Sequence, residues 1–266
     1  MVKKGIDTVL GNYYFLAASL PPLSIGELPE VTFEDLKKNL ELNLSKADYL
    51  TAQSLMRFTD INNIRVLLQE EAIDPRGNLN EKELDEAILI QDVFPDYVFD
   101  FLGQFENASD RIKNFSGLLS LFFVEEIAQS EGFLKKYFTF ERELRLVLLA
   151  LRSKQLGRDP IKELQFEDFT DPLVAHILAQ KDSEQYDPPI EYAEVKELIA
   201  SCYLDPWKEY KVLAEYRFKE IEEMIEGAVF SIDRILAYMA QLMIIEYGLE
   251  LNREKGKMIL DTFKAG

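Results

Sequence analysis

The chain has 266 residues, with 30 Lys or Arg against 48 Asp or Glu, a formal net charge of −18, one Cys and one His. A surface this acidic repels phosphate backbones and anionic lipid, so nucleic-acid binding and peripheral membrane binding are disfavoured and a basic protein partner is the natural complement. A single Cys and a single His exclude an intrachain disulfide framework and a Cys/His zinc site by count alone, and a chain of this length can bury a core without them.

Taken in chain order, Met1–Gly5 (MVKKG) is basic, but Asp7 and the pair Gly11–Asn12 interrupt any apolar run of a secretory signal. Hydrophobic periodicity then predicts helices over roughly 10–19, 33–44, 46–70, 81–91, 96–105, 110–129, 131–156, 160–165, 172–180, 190–201, 206–226 and 232–262. Thr32 with Asp35, and Asn80 with Glu83, stand three residues apart at predicted helix starts, the second pair as a capping box. Ser45, Ser109, Asp171 and Ser231 also precede apolar-periodic runs. Turns fall at DPRGN (74–78), LGRDP (156–160) and DSEQYDPP (182–189). The longest apolar run, GLLSLFFV, leads directly into Glu125–Glu126, far short of the ~18 residues of a membrane span. The expectation is a soluble, cytoplasmic, all-α protein: one domain over 1–266, multi-lobed, with lobes at 31–105, at 106–200, and at 1–30 packed with 201–266. DINNIRVLL (Asp60–Leu68) can be laid over ERELRLVLL (Glu141–Leu149), with a weaker third copy from Glu246, which hints at an internal repeat.

Motifs that carry chemistry are missing from the sequence. It contains no GxxxxGK or GxGxxG phosphate loop, no GxSxG elbow and no ExxH pair of a di-iron bundle. DPRGNLNEKELDE resembles a calcium loop, but counted from Asp74 its sixth position is Leu79, where the sharp turn needs glycine. It reads as a turn leading into a capped helix. The pairs Glu70–Glu71, Glu125–Glu126 and Glu222–Glu223 are placed on solvated faces, since acid–base work needs two carboxylates in contrasting environments. His176, among apolar neighbours, reads as a satisfied, partly buried histidine, and Cys202 beside YLDPW has no nucleophile context. No catalytic, cofactor-binding or metal-ligating residue is assigned, and the chain is expected not to be an enzyme.

The last long helix poses the main question. At 100° per residue, Ile235, Met239, Leu242, Glu246, Leu249 and Arg253 share one stripe. Glu246 and Arg253 stand roughly 10 Å apart along the axis, so they do not pair, and Arg253 meets Glu250 instead. A buried Glu246 therefore needs a partner from another helix. The favoured reading is a polar clamp between helices; the other is a stripe that leaves the core near Glu246 and becomes a docking face.

The segment FSIDRILAYMAQLMIIEYGLELNREKGKMIL resembles the C-terminal helix of the C-subunit family of archaeal and bacterial V/A-type ATPases, whose eukaryotic members are the d-subunits. The order Ile235-Leu236-Ala237-Tyr238-Met239, Glu246, Arg253 and Gly256-Lys257 carries the likeness. DINNIRVLLQ (Asp60–Gln69), with Asp60 and Asn63, is similar to that family's repeated "D..N...LL" helix. LALRSKQLG (Leu149–Gly157), with Arg152, is similar to its "LRAK..G" ending, and NYYFLAASL (Asn12–Leu20), with Tyr14, to its opening "Y.Y..AR.R". The sequence departs from the pattern where Ala18 or Ser19 replaces an Arg, and where Leu144 and Leu249 stand at the positions matching Asn63.

The resemblance implies an all-α protein of three similar helical lobes arranged as a funnel or socket. It implies a non-catalytic rotor adaptor of the central stalk, whose partners are the shaft subunits and the membrane proteolipid ring. Such a protein is cytoplasmic and peripheral to the inner membrane through the ATPase complex. Tyr14, Asp60, Asn63, Arg152, Tyr238, Glu246 and Arg253 become the structural and interaction candidates. Two alternatives stand beside this: an assembly factor or other helical interaction module associated with the ATPase, and a carboxylate-rich metalloenzyme.

Overall fold

A computed structural model describes residues 10–203 and 205–265, with side chains over 13–203 and 205–253. Met1–Gly5 and the side chain of Lys257 lie outside the described residues. The helices are α1 (Leu10–Ser19), α2 (Phe33–Asn43), α3 (Lys46–Leu68), α4 (Glu81–Ile90), α5 (Asp96–Gly103), α6 (Ala108–Lys113) and α7 (Phe115–Gln129). They continue as α8 (Gly132–Gln155), α9 (Pro160–Glu163), α10 (Pro172–Ala179), α11 (Ala193–Ser201), α12 (Pro206–Met224) and α13 (Ile232–Ala265). A 3-10 turn over Ile190–Tyr192 leads into α11. No strand occurs among the described residues, and the protein is all-α.

Local chemistry explains most boundaries. The Thr32 hydroxyl accepts the Asp35 N–H to start α2. Asn80 and Glu83 form a reciprocal capping box on α4. Asp171 accepts the N–H groups of Leu173 and Val174 while Pro172 opens α10. Three expectations need correction. The segment expected as one helix over 110–129 breaks at Asn114, whose side chain turns back to the Asp110 carbonyl. Asn107, and not Ser109, caps α6, because its carbonyl Oδ1 accepts the Asp110 N–H. The Ser231 hydroxyl is buried with no hydrogen-bond partner among the described residues, so α13 begins without a side-chain cap from it.

The chain divides into two units, one joining 1–55 to 210–266 and the other formed by 56–209. This differs from the grouping into lobes at 31–105, 106–200 and the joined ends. Segment 31–55 goes with the chain ends, while 56–105 and 106–200 share one unit. The reasons lie in packing. In the first unit α2 and α1 pack on α13, and α2 buries Phe33, Leu36 and Leu40. On α13 the residues from Ile235 through Leu242 are all buried, so the helix is enclosed on every side over that stretch. In the second unit, Phe58 of α3 stacks on Phe122 at 5.3 Å and meets Phe123 of α7 and Phe138 of α8. That cluster binds helices that the lobe grouping had separated. Lys154 of α8 adds an electrostatic tie, donating to the carbonyls of Gln180, Lys181 and Ser183 just past the end of α10. Among the described residues no helix is long and apolar enough to cross a membrane.

Candidate functional site

The tightest polar construction joins α3 to the turn before α4. Asp60 and Asn63 sit one helical turn apart on α3 and are almost fully buried. The Asn63 amide pairs with the backbone of Asp74 in both directions, donating to its carbonyl at 2.8 Å and accepting its N–H at 2.9 Å. The Asp60 carboxylate accepts from the Asn78 amide at 2.7 Å and from the Leu79 N–H at 3.2 Å. Arg76, also buried, is held against Asp74 at 2.8 Å. Gly77 is required by this closeness: a Cβ there would overlap the Asp60 carboxylate and stand 3.1 Å from its Cγ. The DPRGN turn is thus a plug seated on α3, and it leads into a capped helix as its sequence suggests.

Glu246 has a comparable task in the first unit. It is half-buried on α13, and its Oε1 accepts the N–H of Phe33, the first residue of α2, at 2.7 Å. One partner from another helix is therefore a helix N-terminus, where a carboxylate is favoured by the free N–H groups and by the helix dipole. Glu141, the aligned acid of the second copy, is buried on α8. Asp60 and Glu246 each accept a backbone N–H, that of Leu79 just ahead of α4 and that of Phe33 at the start of α2.

The remaining candidates are scattered. Tyr238 is buried, with its hydroxyl unpaired among the described residues, and burial pushes its pKa up. Arg253 is exposed, so the α13 stripe does leave the core after Glu246. Tyr14 is 50% exposed and packs on Phe230 at 4.7 Å. The buried tyrosine of α1 is its neighbour Tyr13, which donates to the Asp48 carboxylate. Arg152 is largely exposed on α8 and forms an ion pair with Glu209.

Two readings of polar residues change. Glu126 does not share a solvated face with Glu125: it is buried, paired with Arg57, and its pKa is raised by desolvation that the Arg57 charge only partly offsets. His176 is exposed and not partly buried, although it is satisfied; its Nε2 lies 2.8 Å from the Asp187 carbonyl. Cys202 is buried and donates its thiol to the Leu198 carbonyl.

Two clefts stand out. In the first unit, an open cleft of about 910 Å³ is lined by the end of α12, the turn after it and α1, with Glu222, Glu223 and Glu226 beside Ala17, Val229 and Phe230. Its cation, Arg234, is already engaged by Glu222 at 2.8 Å. Exposed Tyr14 and Phe15, in edge contact with each other, continue the apolar surface from Phe230. In the second unit, a cleft of about 430 Å³ gathers Arg65, Lys113, Arg145, Arg152 and Arg158, with Glu163 as its lining carboxylate.

The family profile described as "Protein of unknown function (DUF2764)" matches residues 10–266. The chain belongs to the DUF2764 family. Relatives include an "Uncharacterized protein" of Chlamydia muridarum, 27% identical over 263 residues that span 97% of this chain and 99% of the relative. Another, from Chlamydia pneumoniae, is 31% identical over 256 residues, covering 94% and 96% of the two chains. No solved structure gives a significant match.

In this DUF2764 chain the second-unit cleft is the feature that sequence reasoning missed. Its signal was partly present, since Arg145, Leu149 and Arg152 follow i, i+4, i+7 spacing along one face of α8. Arg65, Lys113 and Arg158 come from separate segments, and only tertiary packing brings them to the same cleft.

Proposed function

We propose that this protein is a non-catalytic docking component of a V/A-type ATPase central stalk, a rotor adaptor between shaft and proteolipid ring. The observation that carries the reading is the first-unit cleft, where three carboxylates rim an apolar surface formed by Val229, Phe230 and the exposed aromatics of α1. A basic helical shaft complements such a surface in charge and in apolar contact. The resemblance of α13 to the C-terminal helix of the ATPase C-subunit family supports the same partner, and α13 begins at this cleft. On this reading the protein is cytoplasmic and reaches the inner membrane only through the complex.

The test mixes the full chain with purified central-stalk subunits and follows complex formation by size-exclusion chromatography at low and high salt. A complex that weakens with salt, and is lost in the double variant Glu223→Lys, Glu226→Lys, is the expected result. No complex with any stalk component, free or assembled, rejects the reading. Binding restricted to unassembled subunits selects the assembly-factor alternative, which the departures from the family pattern at Ala18 or Ser19, Leu144 and Leu249 slightly favour.

A further inference from the structure

We infer that the second-unit cleft is a binding site for a small phosphorylated molecule, with the cations holding the phosphate and the apolar wall taking the organic body. Five cationic side chains converge on this one cleft in a protein whose net charge is −18. They arrive from α3, α6, α8 and the turn after α8, so no single amphipathic helix accounts for them.

Three of the five have carboxylate partners. Arg145 pairs with Glu167, Arg152 with Glu209, and Arg158 loosely with Glu163 at 3.7 Å. These contacts orient the guanidinium groups without exhausting them. The Nε–H of Arg145 is buried and donates to no described group. The side chains of Arg65 and Lys113 form no hydrogen bond or ion pair with described residues, and Arg65 only lies over the Phe115 ring at 5.9 Å. Two free cations thus face the same space.

Shape and chemistry narrow the ligand. A volume of about 430 Å³ falls within the roughly 300–1,000 Å³ of small-molecule sites and holds far more than a lone phosphate ion. Planar guanidinium forks match phosphate oxygens, and a dianion answers several cations at once. Phe115, Leu119 and Leu149 supply the apolar wall. The acidic surface elsewhere opposes a nucleic-acid backbone, so the ligand is a small molecule. The cleft and its cations stand independently of the ATPase reading.

Isothermal titration calorimetry on the full chain in ~100 mM salt tests it with four probes: ADP, pyrophosphate, adenosine and a glutamate-rich peptide. ADP is expected to bind with Kd below ~100 μM, adenosine not at all, and pyrophosphate more weakly than ADP. The double variant Arg65→Gln, Lys113→Gln should weaken ADP at least about tenfold while leaving Tm unchanged, because neither side chain is buried. If the double variant fails to fold, Lys113→Gln alone decides by the same criterion, scaled to a several-fold loss. The inference is overturned if ADP and pyrophosphate both fail to bind below ~1 mM, if the variant binds ADP as tightly as the parent, or if the peptide displaces ADP.

Discussion

At the scale of single residues, the seat of the DPRGN turn is a demanding geometry. At Gly77 a side chain would meet a buried carboxylate, that of Asp60. Gly77→Ala forces the plug off α3 or pushes Asp60 away from Asn78 and Leu79, and should cost about 1–3 kcal/mol in urea unfolding. Gly103 is the matched control. It ends α5 with nothing within 4 Å of a built Cβ, so Gly103→Ala should be neutral or stabilising by about 0.5–1 kcal/mol. Equal losses at both sites would mean that the close approach of Gly77 to Asp60 carries no special cost. The sequence shows a turn at DPRGN, and its composition suffices for that. Nothing in it says that Asp60, on the preceding helix, holds the turn in place. That contact depends on how the segment between α3 and α4 folds back.

At the scale of elements, Glu246 is best understood as a fastener between helices. A carboxylate on a long helix cannot be left buried and bare, and backbone N–H groups at another helix start are the nearest donors without a partner. Glu246 uses the first N–H of α2, 213 residues away in sequence. Glu246→Ala should therefore lower stability by about 1–2 kcal/mol, and amide exchange should report it as faster opening of the first turn of α2. If stability is unchanged while partner binding disappears, the docking-face reading of this stripe replaces the clamp. The helical wheel identifies Glu246 as a residue that needs an outside partner, and the exposure of Arg253 agrees with a stripe that changes character along α13. The wheel carries no sign that the first N–H of α2 is a partner, since side-chain patterns do not record where free N–H groups lie.

At the scale of the whole molecule, both units bury tyrosine hydroxyls. Tyr13, Tyr49, Tyr97, Tyr186 and Tyr238 all have pKa values raised above the ordinary 10, with desolvation as the leading cause in each. For a group that loses a proton to become anionic, a raised folded-state pKa means the folded chain holds its protons longer than the unfolded one. The stability linked to these groups is intact below pH ~10 and is lost as pH rises through and beyond it. In an absorbance titration at 295 nm, the part of the tyrosine signal that belongs to these five should appear only together with loss of helical circular dichroism. Completion of the tyrosine titration with the helix signal intact would contradict the burial.

Helical class and most helix boundaries are legible in the residues alone, because period, caps and prolines act over a few residues and need no distant partner. The charge balance and the missing chemical motifs are legible in the same way. The partition of the chain into two units is not, because the cluster of Phe58, Phe122, Phe123 and Phe138 is made by side chains far apart in sequence. Packing also sets Glu126 inside and Glu125 outside, a distinction that depends on which neighbour supplies Arg57. The same packing gathers cations from several segments into one cleft, because charge convergence is a property of packed surfaces, and local sequence pattern does not encode which surfaces meet.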